Sequence, residues 1–123
     1  MNRIETFEDA CKALNLGDPA AVLPNLDFFP EHHRKALTAH AKLIIIAEAM
    51  NEGWKPDWDN NKQWKYYPWF DMRNSSGVGF SFVDCVNGDS ASSVGSRLCY
   101  RTRELAEYAG KQFQDLYNEF FQL

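Results

Sequence analysis

Apolar residues recur every three or four positions in two long stretches of the chain. In residues 31–52 this spacing predicts a helix that Gly53 ends, and further apolar residues widen the stripe, so we expect the helix to pack on two sides. In residues 102–121 the spacing predicts a final helix, with Thr102 as its N-cap and a polar opposite face. Neither stripe can remain in water, so the two helices should share one core. Its expected members are Leu43, Ile46, Phe113, Leu116 and Phe120.

The N-terminal segment predicts two shorter elements. Thr6, with Asp9 three positions later, has the pattern of a capping box at the start of a helix. Residues 18–23 open with an Asp-Pro pair and predict a short helical turn. An irregular link bounded by prolines follows, and we expect its two phenylalanines, Phe28 and Phe29, to plug the core.

Three β-like runs lie between the two long helices, at residues 64–72, 78–86 and 94–101. The segments that join them have turn compositions, including residues 74–77, so an antiparallel meander is the simplest arrangement. Pro68 indicates that the first run is an edge strand, because proline has no N–H to donate to a central ladder.

Length and composition fit a single domain over residues 1–123, with 45% hydrophobic and 24% charged residues. We therefore predict an α+β fold of order α-α-β-β-β-α, in which a three-stranded antiparallel meander packs against two long helices. The longest apolar run, residues 43–47, is too short to cross a bilayer, and no leader pattern opens the chain. We expect a cytoplasmic protein that does not associate with membranes.

The sequence contains no complete metal-binding or catalytic motif. Asp57, Asp59 and Asn61 have the spacing that opens a calcium loop, but Lys62 stands where glycine is needed and Pro68 where a glutamate is needed. The three cysteines form no CxxC pair, and the histidines form no HExxH motif. We therefore expect no metal, no cofactor and no catalytic residues, which makes an enzyme the least favoured class.

The middle of the chain differs chemically from both ends. Residues 53–103 carry seven basic and five acidic side chains in a chain of net charge −4, and they include all four tryptophans. Strand alternation places cationic and aromatic side chains together on the sheet face opposite the helices. The expected exposed patch comprises Lys65, Tyr67, Trp69, Arg97 and Arg101. Two alternatives stay open: a one-residue shift of register would turn the aromatic members inward, and the 54–61 loop or another chain would cover the face.

Three stretches of the sequence carry a resemblance to a known group of proteins. They are Trp54-Lys55-Pro56-Asp57-Trp58, Lys65-Tyr66-Tyr67-Pro68-Trp69-Phe70, and Gly95-Ser96-Arg97-Leu98-Cys99-Tyr100 with the following 104–113 segment. Together they resemble small uncharacterised proteins from bacterial phage and prophage gene neighbourhoods, over residues 23–121. The resemblance implies a phage or mobile-element context and no particular activity.

The patch suggests two kinds of partner. Exposed aromatic and arginine side chains are typical of protein interfaces, so we predict a non-enzymatic protein-interaction module of phage or mobile-element origin that binds a protein partner or a second copy of itself. Aromatic residues mixed with cations also suit single-stranded nucleic acid, and a module of that kind is the alternative. A small enzyme with an unrecognised site is the second alternative.

Overall fold

The computed structural model describes residues 3–60, 62–71, 81–88 and 96–121, and this part of the chain is mainly helical. None of its helices combines the length and the apolar content that a membrane crossing requires. The elements in chain order are α1 (Phe7–Ala13), α2 (Pro19–Val22), α3 (Glu31–Asn51), β1 (Lys65–Asp71), β2 (Ser81–Gly88), a 3-10 turn (Ser96–Leu98), α4 (Arg103–Gln112) and α5 (Gln114–Phe121).

Side-chain caps fix the starts of the first two helices, as predicted. The Thr6 hydroxyl accepts a hydrogen bond from the Asp9 N–H at 3.1 Å, and the Asp9 carboxylate accepts one from the Thr6 N–H at 3.2 Å. This reciprocal pair is the capping box of α1. At α2 the Asp18 carboxylate accepts from the Ala20 N–H at 3.1 Å.

The long helices share one hydrophobic core, as their apolar stripes predict. Leu43 and Ile46 of α3 lie in the same buried cluster as Phe113, with Leu116 and Phe120 half-buried against it. The prediction of one continuous final helix is wrong, however. The chain leaves the helical conformation at Phe113, where ψ is 27°, and the helix is divided there into α4 and α5.

β1 and β2 pair in antiparallel register, with Lys65 opposite Gly88 and a bulge between Trp69 and Phe70. The Phe70 ring lies 4.8 Å from the Tyr117 ring of α5, so this face of β1 packs on the helices. The opposite edge of β1 makes one further bridge, between Tyr66 and Tyr100.

The predicted three-stranded meander is wrong, because the described part of the third run, residues 96–101, contributes a 3-10 turn and this single bridge. Tyr66 and Tyr100 exchange backbone hydrogen bonds of 3.0 and 2.6 Å. The next hydrogen-bonded pair in the same register would join Leu98 to Pro68, which has no N–H to donate. Leu98 instead ends the 3-10 turn. A two-stranded sheet with one added bridge therefore stands in place of the predicted three-stranded sheet.

The link between α2 and α3 also differs from the prediction. Phe28 is fully exposed and Phe29 is exposed, so they do not plug the core. The Arg34 guanidinium fixes this link instead, donating to the Phe29 carbonyl at 2.7 Å and to the Asp27 carbonyl at 2.8 Å. The predicted turn at 74–77, and residues 72, 78–80 and 94–95 of the predicted strands, lie outside the described residues.

Candidate functional site

A groove of about 530 Å³ lies where α3 ends and the following loop folds back beside it. Residues from α3, from the loop after it and from the 3-10 turn form its walls. We call it the aromatic groove, and its lining residues are Ile44, Glu48, Asn51, Gly53, Trp54, Lys55, Pro56, Trp58 and Arg97.

A left-handed turn at the end of α3 sets the direction of the loop wall. Glu52 has φ 49° and Gly53 has φ 88°, and the Trp54 N–H then donates to the Asn51 carbonyl at 3.0 Å. The left-handed conformation costs glycine little because it has no Cβ. The turn ends the helix and carries Trp54 and Trp58 back along the C-terminal part of α3.

Lys65 contacts Trp58 and fixes the turn in which Trp58 lies. The residue is 0% exposed, and its ammonium group donates to the carbonyls of Asp57 at 2.7 Å and Asn60 at 3.1 Å. The same ammonium lies 5.1 Å from the centre of the Trp58 ring, within the range of a cation–π contact. The Lys65 charge therefore stabilises the 57–60 turn and is enclosed by the protein.

Asn51 fixes the segment that carries Arg97. Its side-chain amide donates to the Cys99 carbonyl at 2.9 Å, and its side-chain oxygen accepts from the Arg101 N–H at 3.0 Å. The Arg101 guanidinium also pairs with the Glu52 carboxylate at 3.3 Å. Together these bonds tie residues 99–101 to the end of α3, so both walls of the groove are held by internal hydrogen bonds.

The five residues of the predicted patch occupy three different environments. Lys65 and Tyr67 are buried, Trp69 is 52% exposed outside the groove, and Arg97 is exposed on the groove wall. Arg101 is half-buried in its pair with Glu52. A single exposed patch of all five is therefore wrong, because the 57–60 turn covers the outer face of β1 at Lys65. That cover is one of the alternatives that the sequence left open. Whether Trp69, Arg97 or Arg101 binds a partner stays a prediction.

The prediction missed the groove residues outside the strands. Trp54, Lys55 and Trp58 follow the predicted helix end at Gly53 and lie in the basic, tryptophan-rich middle of the chain, so a signal for them existed. Strand alternation predicts a patch on the sheet, whereas α3, the loop after it and the 3-10 turn form the groove. Glu48 has no comparable signal, because it is one of several polar residues in the helix predicted over residues 31–52.

The groove combines flat apolar surfaces with charges of both signs. Trp54 and Trp58 offer ring faces suited to aromatic, proline and aliphatic groups. Lys55 and Arg97 can pair with carboxylate or phosphate, and Glu48 can pair with a cation. The fold and this site thus define a small, mainly helical protein with a preformed aromatic groove.

Comparisons with protein-family models, with curated proteins and with solved structures gave no match. The resemblance to phage-associated proteins therefore stays a prediction.

Proposed function

We propose that the chain is a non-enzymatic interaction module that holds a short segment of a partner protein in the aromatic groove. The observation that carries this proposal is that Trp54, Trp58 and Arg97 line one groove. Tryptophan and arginine are the residue types most enriched among energetically dominant interface positions.

The internal support of the walls favours binding. Lys65 fixes the turn beneath Trp58, and Asn51 fixes the segment that follows Arg97. Because these elements are ordered before a partner arrives, less conformational entropy is lost on binding. Lys65 is enclosed and does not line the groove, and the Asn51 side chain is engaged in its two backbone hydrogen bonds. The charged and aromatic side chains left to contact the partner are the two tryptophans, Lys55, Glu48 and Arg97.

The charge pattern favours a polypeptide over a nucleic acid. Glu48 places a carboxylate on the same groove as Lys55 and Arg97, and the chain as a whole carries a net charge of −4. A phosphate backbone would meet repulsion from both, whereas a peptide can present an acidic and a basic group together. We propose a partner segment that offers an aromatic residue or proline flanked by charges of both signs.

Selection from a library of short random peptides tests this proposal directly. Peptides are selected on the wild-type chain with counter-selection on Trp54→Ala, and their affinities are measured by calorimetry. We expect Trp54→Ala and Arg97→Ala to weaken binding by about tenfold or more, the usual range for dominant interface residues. Trp64→Ala is the matched control, since Trp64 is exposed and does not line the groove.

A salt titration separates the proposal from its alternative. Peptide affinity should change by less than about threefold between about 50 and about 200 mM salt, whereas a phosphate-driven complex loses far more. An oligothymidylate that binds through Trp54, with a steep salt dependence, would identify a single-strand nucleic-acid binder instead. Selected peptides that bind Trp54→Ala as tightly as the wild type would show that the groove is not the binding site.

A further inference from the structure

A second cavity lies on the other side of the Glu52–Gly53 turn, and its volume is about 820 Å³. It is partly open to solvent and is lined by the N-terminal segment, the end of α1, the end of α3 and the start of α4. Both cavities touch Gly53, but they share no other lining residue. The volume lies within the range of pockets that hold small molecules, roughly 300 to 1,000 Å³.

The N-terminal wall of this second cavity is fastened to α4. The Tyr108 hydroxyl donates to the Ile4 carbonyl at 2.6 Å, and the Gln112 side chain donates to the Glu5 carbonyl at 2.9 Å. The Arg3 guanidinium lies over the Tyr108 ring, 4.0 Å from its centre. These contacts hold residues 3–5 as a strap across the helix, so the cavity is a built feature of the fold.

The lining is apolar at the base and charged at the rim. Its apolar members are Ile4, Ala13, Leu14, Ala49, Met50 and Leu105. The charged members are Arg3, Glu52 and Glu104. Arg3 lies over the Tyr108 ring and keeps its charge, and Glu52 pairs with Arg101. Glu104, in the first turn of α4, is the rim carboxylate without an ion pair among the described residues, so a cationic head group is assigned to it.

We propose that the second cavity binds a small amphipathic molecule with an aliphatic body and a cationic head group. The aliphatic body would contact Leu14, Met50 and Leu105, where burial of apolar surface supplies most of the affinity. The cationic head would pair with the Glu104 carboxylate at the rim. This site is separate from the aromatic groove and stands independently of the proposed peptide partner.

Three ligands with the same chain length and different head groups test the proposal: octylamine, octanol and octanoate. Titration by calorimetry should give the order octylamine, octanol, octanoate from tightest to weakest. Glu104→Gln should weaken octylamine by about two- to fivefold, the range for an exposed charge pair, and leave octanol unchanged. Glu8→Gln is the matched control, since Glu8 also lies in the first turn of a helix and does not line the cavity.

Filling the cavity gives an independent measurement. Ala13 is an exposed lining residue at the end of α1, so Ala13→Phe can enter the cavity without removing a core side chain, and it should abolish binding of all three ligands. Ala20→Phe, on the exposed surface of α2, should leave binding intact. If Ala13→Phe fails to fold, transferred NMR contacts from the octylamine chain to the Met50 and Leu105 methyl groups replace it.

Two results would overturn the proposal. Octanoate binding more tightly than octylamine would show that the rim selects an anion. Octylamine binding with no contact to the Met50 or Leu105 methyl groups, or with equal affinity in a folded Ala13→Phe variant, would place the ligand elsewhere.

Discussion

The ammonium group of Lys65 lies 5.1 Å from the centre of the Trp58 ring, and nothing of Lys65 is exposed to solvent. A buried cation costs free energy unless the protein replaces its hydration shell. Here the carbonyls of Asp57 and Asn60 and the face of the indole ring do so. This arrangement connects the first residue of β1 to the loop wall of the aromatic groove.

Lys65→Met should therefore destabilise the protein and loosen the groove. We expect the free energy of unfolding to fall by about 2 to 3 kcal/mol, since hydrogen bonds to a charged donor are lost and two carbonyls lose a partner. Denaturant melts measure the loss, and the tryptophan emission of the folded state should shift as Trp58 moves. Lys62→Met is the control, because Lys62 is exposed in the same loop and should change stability by less than about 0.5 kcal/mol. Equal effects of the two substitutions would contradict the supporting role of Lys65.

The elements that could be predicted from the sequence are those specified by nearby residues. The Thr6 and Asp9 pair lies within four residues and specifies the start of α1, and Gly53 marks the end of α3. The apolar stripes of α3 and of the C-terminal helices identify the core because helical spacing alone brings their members to one face. Such signals need no knowledge of which segments meet in the folded chain.

The groove, and the 3-10 turn found where a third strand is predicted, depend on contacts between distant residues. Asn51 binds the backbone at Cys99 and Arg101, 48 and 50 positions away, and nothing local to Asn51 indicates this. Pro68 predicts an edge strand, and in the structure its missing N–H affects the segment that would pair beside it, where residues 96–98 form a 3-10 turn. Alternation along β1 gave the face toward the helices correctly at Phe70, but it could not show that the 57–60 turn covers the other face at Lys65.

A second prediction contrasts two phenylalanines at opposite extremes of burial. Phe113 is 5% exposed at the junction of α4 and α5, whereas Phe28 is fully exposed. Phe113→Ala should lower the free energy of unfolding by about 3 to 5 kcal/mol, the usual effect of removing a core aromatic side chain. Phe28→Ala should change it by less than about 0.5 kcal/mol.

Denaturant melts of both variants under the same conditions make this comparison. A loss below about 1 kcal/mol in Phe113→Ala would show that the core does not depend on this side chain. A large loss in Phe28→Ala would mean that the 24–30 link is packed in solution, in conflict with its exposure here.

The third prediction concerns stability at high pH and rests on Tyr100 and Tyr117. Both residues are buried in the core, and burial raises the pKa of each phenol above its ordinary value of about 10. Neither hydroxyl has a hydrogen-bond partner among the described residues, and each lies close enough to influence the ionisation of the other. In the unfolded chain both phenols ionise near pH 10, while in the folded chain they retain their protons.

The sign of the pH dependence follows from this difference in proton binding. Below about pH 10 both states hold the protons, and the pair contributes no pH dependence. As the pH rises above that value the unfolded chain releases protons that the folded chain keeps, so stability falls until the folded pKa values are reached. Each phenol should contribute about 1.4 kcal/mol per pH unit in this window.

Substituting both tyrosines with phenylalanine should remove this part of the alkaline instability. Near neutral pH the double variant Tyr100→Phe with Tyr117→Phe should stay within about 1 to 2 kcal/mol of the wild type, because neither buried hydroxyl has a hydrogen bond to lose within the described part of the chain and the rings remain. Above about pH 10 its stability should decline less steeply than that of the wild type, by up to about 2.7 kcal/mol per pH unit for the two groups together. Denaturant melts at stepped pH values measure both slopes. Identical slopes for the two proteins would mean that the phenols ionise in the folded state as readily as in the unfolded chain, and that the Tyr100 and Tyr117 hydroxyls have access to water.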